Sequence, residues 1–133
     1  MKKILGVFVL ATMLAVPAMA SAASQVPAGL IALAESRMNW AKAKTFCQQK
    51  GGKLPLIGGS AKRSDVPEGT PIDGFGTVEG SWPKGLPSDC YWTGTAHNDD
   101  PSSAWVVCDN GGGSVSSVYF HMRRNDNGVV CVR

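Results

Sequence analysis

The chain has 133 residues, 44% hydrophobic and 17% charged, with a formal net charge of +3. That length allows one domain with a modest core. The charge is too slight to draw nucleic acid or an anionic membrane by bulk electrostatics, and it falls to +1 once Lys2 and Lys3 are set aside as part of a leader.

Lys2 and Lys3 form a basic n-region, residues 4–16 an apolar h-region, and Ala18-Met19-Ala20 a cleavage site, with Ala20-Ser21-Ala22 as a second candidate. A membrane anchor is the competing reading, but the apolar run is too short to span a bilayer and lacks a basic stop. No cysteine sits at the cleavage site to take a lipid. Residues 1–20 are therefore expected to be a signal peptide, cut near Ala20 or Ala22. Residues 21–133 are expected to be a single exported domain, periplasmic or secreted, with no membrane insertion once the signal is removed.

Residues 21–36 are alanine-rich, and Leu30-Ile31-Ala32-Leu33 reads either as a first strand or as part of a helix running into Trp40. The next stretch is more definite. Trp40, Ala43, Cys47 and Lys50 recur at helical spacing, Phe46 widens the stripe, and Lys42, Lys44, Gln48 and Gln49 fall on the opposite side. Asn39 is a suitable N-cap, Gly51 a stop, and Pro55 prevents resumption. The spacing predicts an amphipathic helix of about three turns, which needs a sheet to lie on. Lys53-Leu54-Pro55-Leu56-Ile57 should then tuck the chain under that sheet.

Residues 58–89 change character, with glycine, proline, serine and aspartate dominant. They read as a long loop insertion without secondary structure, a feature that in a compact domain signals function or mobility. Residues 82–87 form an ordered turn within it, and Trp82 serves either as a lid on the core or as a ligand platform.

Beyond Cys90 the pattern is that of strands. Tyr91-Trp92-Thr93-Gly94-Thr95 and Ala104-Trp105-Val106-Val107-Cys108 are aromatic and β-branched. Residues 114–122 carry Val115, Val118 and Phe120 as apolar points, and Val129-Val130-Cys131-Val132 closes the chain. Short polar turns between them imply four antiparallel strands. The expected class is α+β, one main helix packed on a small antiparallel sheet with long loops.

All four cysteines lie beyond the leader, and an even count in a small exported domain reads as two disulfides. Zinc sites usually need close cysteine pairs, which are absent. Cys90 and Cys108 open and close neighbouring strands, so their pairing is natural, and it leaves Cys47 with Cys131.

The helix N-W-A-K-A-K-T-F-C-Q-Q-K-G-G-K-L-P resembles the first-helix signature of C-type-lectin-like domains, and the terminal V-V-C-V-R resembles their last strand. Y-W-T-G-T, Trp105 three residues before Cys108, and the following glycine turn are similar to the bacterial branch, the Lcl/DUF1566-like domains and the tips of intimin/invasin-type adhesins. The resemblance covers residues 38–133 and implies a lectin-like fold with Cys47 tied to Cys131. The Glu-Pro-Asn or Gln-Pro-Asp and Trp-Asn-Asp motifs of the calcium-dependent sugar binders are missing, since Val106-Val107 follow Trp105. Calcium-mediated sugar binding is therefore not carried over. An improvised calcium site from Asp99, Asp100 and Asp109 remains a reading, since calcium takes clustered oxygens, although such residues more often form turns.

Catalytic motifs are lacking: no H-E-x-x-H, G-x-S-x-G or P-loop occurs, and bridged cysteines leave no thiolate. His97 with Asp99, near Ser102 and Ser103, is the one arrangement resembling a general base, and it reads more simply as a solvated loop histidine. The expectation is a non-catalytic recognition module without cofactor. It would bind a glycan or protein surface, independently of calcium, through loops on a disulfide-braced frame. Its candidate ligand residues are Trp82, Asn98, Asp99, Asp100, Arg123, Arg124, Asn125 and Asp126. The two arginines offer bidentate donors for a carboxylate or sulfate, while Trp92 is assigned to the core. The alternative is a periplasmic protein–protein partner, such as an inhibitor, an immunity-type protein or a subunit of an envelope assembly.

Overall fold

A computed structural model describes residues 26–27, 29–116 and 120–133, the Ser116 side chain excepted. The signal-peptide reading and Val118 lie outside those residues. The expected helix is present as α1, Trp40–Gln49. The Asn39 side chain accepts from the Lys42 amide at 3.0 Å, satisfying one unpaired donor of the first turn. At the other end Gly51 takes a left-handed φ of 79°. The amides of Gly51 and Gly52 then reach back to the carbonyls of Gln48 and Cys47, capping the last turn. Trp40, Ala43 and Cys47 are the buried stripe. Lys50 is exposed and belongs to the cap instead, because the helix ends before it.

The central hairpin joins β5, Cys90–His97, to β6, Ser103–Asp109, with Cys90 opposite Cys108 and Trp92 opposite Val106. The anticipated strand over residues 114–122 is divided into β7, Val115–Ser116, and β8, Phe120–Met122, which pair with the two ends of β6. A short strand β2, Lys62–Arg63, lies parallel to the end of β5, so the sheet has five strands and is not purely antiparallel. The closing strand β9, Val130–Cys131, stands outside that sheet. It pairs antiparallel with β1, Ala32–Leu33, which settles the ambiguous segment before the helix as a strand.

Alternation along β6 sends side chains to both faces. Ala104, Val106 and Cys108 meet Trp40, Ala43, Cys47, Trp92 and Val129 on the helix side. Trp105 and Val107 meet Ile57, Ile72, Phe75, Val78, Leu86, Tyr91 and Val115 on the other. Ile72, Phe75, Val78 and Leu86 of that second layer come from residues 58–89, which are not a structureless loop. They contain β2 and the hairpin of β3, Pro71–Ile72, with β4, Gly76–Thr77. Backbone bonds also tie them to the frame: Glu79 donates to Val115, Val115 to Gly80, and Trp82 to Gly113. Isolated apolar residues between glycine and proline turns each plug into the core, a design without a readable period.

Both disulfides follow the expected pairing, Cys47 with Cys131 and Cys90 with Cys108. Such bridges fit an oxidising compartment. Among the described residues no helix is long and apolar enough to cross a membrane. Tyr91 is buried and donates its hydroxyl to the Pro87 carbonyl at 2.7 Å. Burial first, and the neighbouring Asp89 charge second, push its pKa from 10.0 up to about 12. The folded state thus holds this proton more tightly than the unfolded chain, and the stability linked to it is lost as pH rises from about 10 through 12.

Candidate functional site

The residues singled out in the sequence fall in three places. Trp82 is built into the second core layer, with ring centroids 5.4 Å from Phe75 and 6.0 Å from Tyr91, and its indole N–H donates to the Leu86 carbonyl. It serves there as a lid on the core.

Asn98, Asp99 and Asp100 occupy the β5–β6 connection. Asn98 donates its side-chain amide to the Ser64 hydroxyl, and its backbone amide to the Arg63 carbonyl. The Asp100 carboxylate accepts from the Ser102 hydroxyl at 2.7 Å, the Ser103 hydroxyl at 2.8 Å and the Ser102 amide at 3.0 Å. Those bonds, the hydroxyls foremost, hold its pKa below the usual carboxylate value. Asp109 accepts from the amides of Gly111 and Gly113 at the far end of β6, roughly 20 Å away at the rise of an extended strand. Asp99, Asp100 and Asp109 are therefore not brought together as a calcium set; they shape two separate turns. Among the described residues no group of three such side chains is placed to hold a metal. The Ser102 and Ser103 hydroxyls donate to Asp100 rather than to His97, whose ring stacks on Trp105 at 5.1 Å.

The third place is the turn at residues 123–126. Asn127, just beyond it, exchanges backbone bonds with Met38, so the turn is held against the start of α1. The Asn127 side-chain oxygen also meets His121 Nδ1 at 3.1 Å. The Arg37 guanidinium reaches the Asp126 carbonyl, and is paired with Asp89 at 3.2 Å. Arg123 is fixed at three points: its amide donates to Ser102, its carbonyl accepts from the Trp40 amide, and its Nε donates to Ser103. These bonds carry the guanidinium carbon to 4.3 Å from the Trp40 ring centroid. Lys44 Nζ, one helical turn on from Trp40, lies 4.0 Å from the same ring.

The result is an open groove of about 470 Å³ beside the helix, lined by Asn39, Trp40, Ala41, Lys44, Thr45, Gln48, Arg123 and Arg124. Among the described residues, Lys44, Arg123 and Arg124 have no carboxylate within 4.0 Å. Arg123 and Arg124 thus belong to a groove, with Asn98–Asp100 on the connection behind Ser102 and Trp82 elsewhere. Sequence reasoning missed Trp40 and Lys44 as site residues. Their spacing signals only a helical neighbour pair, and nothing local brings position 123 beside position 40. Phe120 and Met122 form a second exposed feature, 48% and 38% accessible at the β8 edge.

No protein-family model, curated protein or solved structure matches this chain.

Proposed function

We propose that the protein is an exported, non-catalytic recognition module of the lectin-like kind, binding a glycan or protein surface without calcium or another cofactor. The lectin-like kinship rests on the sequence motifs, and the bridge from helix to last strand is in keeping with it. One observation carries the functional reading: Lys44 and Arg123 converge on Trp40 at the rim of an open groove, with Arg124 beside them and, among the described residues, no carboxylate within 4.0 Å of the three. Like charges held together on a surface favour an anionic partner group. The contact surface we propose is the start and outer side of α1 with the turn at residues 123–126, while residues 58–89 cover the core.

The test is binding of the intact protein to arrayed glycans and envelope proteins, with and without chelator. Lys44→Glu with Arg124→Glu should weaken binding by about tenfold or more, and chelator should leave it unchanged. Binding abolished by chelator, or untouched by charge reversal, would contradict the reading.

A further inference from the structure

We propose that the Trp40 groove is a carboxylate-binding site that docks an acidic side chain of a protein partner; this rests on the recognition reading above. The ring centre of Trp40 lies 4.0 Å from Lys44 Nζ and 4.3 Å from the Arg123 guanidinium carbon, so the two charged heads stand within about 8 Å of one another. A carboxylate accepting one charge-assisted bond of about 2.8 Å on each oxygen bridges two donors at that scale. Arg123 arrives preorganised. Its Nε is already committed to the Ser103 carbonyl, its backbone is bonded on both sides, and its terminal nitrogens remain for a planar, two-pronged acceptor.

The indole beneath is also fixed, its N–H donating to the Thr93 carbonyl at 2.8 Å. It is only 8% exposed, since it packs into the helix-side core and the two cations stand over the ring. The ring therefore positions charge and offers no flat face on which a sugar could stack. Asn39, Thr45 and Gln48 supply neutral hydrogen-bonding groups around the cations.

The size of the cluster decides between partners. Three cations line this groove, whereas polyanions gain affinity from many phosphate or sulfate contacts along an extended stripe. Compact pairing of tryptophan and arginine, with a polar surround, is instead the composition of a protein-binding hot spot.

The experiment is a titration of the whole, oxidised protein with a short glutamate-rich peptide and its glutamine counterpart. The resonances of the Trp40 indole N–H and the Arg123 Nε–H are followed by NMR. The glutamate peptide should shift both saturably, and the glutamine peptide should not. Lys44→Gln, an exposed helical site that leaves the fold intact, and Arg123→Gln should each weaken binding by about tenfold, while Lys84→Gln should leave it unchanged. Equal shifts with both peptides would overturn the proposal, as would binding that survives Lys44→Gln and Arg123→Gln. Displacement of the peptide by a sulfated polysaccharide of higher affinity would overturn the assignment to a protein partner. The recognition reading fails separately, if arrayed envelope ligands bind wild type and charge-reversed protein alike while the peptide result stands.

Discussion

Removing the buried bridge, Cys47→Ser with Cys131→Ser, is expected to cost far more stability than removing the hairpin bridge, Cys90→Ser with Cys108→Ser. The first closes a separation of 84 residues and the second one of 18. Loop-closure entropy puts the two at roughly 4.6 and roughly 3.2 kcal/mol. Packing widens the gap. Cys47 and Cys131 are fully buried between the helix and the last strand, where serines would place two hydroxyls in an apolar layer. Against a total of about 5–10 kcal/mol for a domain of this size, the first pair of changes should leave little folded protein. Urea unfolding of the two double variants measures the difference directly. Equal midpoints would remove the bridge from helix to last strand as the main brace of the fold.

Gly52→Ala is expected to destabilise by about 2 kcal/mol or more, through backbone crowding rather than a lost contact. A methyl group at this position would run into the Val132 carbonyl oxygen and the Ile31 side chain. The carbonyl is fixed, since Val132 exchanges backbone bonds with Lys53, whereas the end of the Ile31 side chain can turn aside. Relief would require opening the junction of helix end, first strand and last strand, where the long disulfide also sits. Thermal unfolding of Gly52→Ala beside Gly112→Ala, which also lies outside the left-handed region and whose added methyl approaches only the Asn110 side chain at 3.3 Å, separates crowding from backbone entropy. A matching loss at both sites would show that crowding is not the cause.

The legible parts of the fold were those whose cause is local. The helix declared itself through its stripe, its Asn39 cap and its Gly51 stop, and β5 and β6 through dense aromatic and β-branched runs. The disulfides followed once those strands were placed. Residues 58–89 were not legible, because Ile72, Phe75, Val78 and Leu86 enter the core singly, each between turns. The charged pair in β2 likewise has no strand pattern, and is ordered by backbone bonding to β5. Of the site, Arg123 and Arg124 stood out as bidentate donors in a polar turn. Their partners Trp40 and Lys44 did not, since only the tertiary path through Ser102, Ser103 and Asn127 brings that turn to the helix. The calcium reading failed for a related reason: neighbouring acidic residues in the sequence were divided by the length of β6.

The location of the binding surface depends on residues 58–89 being a packed layer of the frame, and amide hydrogen exchange tests this directly. The amides of Asp73, Val78, Glu79 and Trp82, each bonded to a backbone carbonyl, should exchange about as slowly as those of β5 and β6. Exchange at those four amides as fast as in an open loop would contradict the account and return the contact surface to that segment.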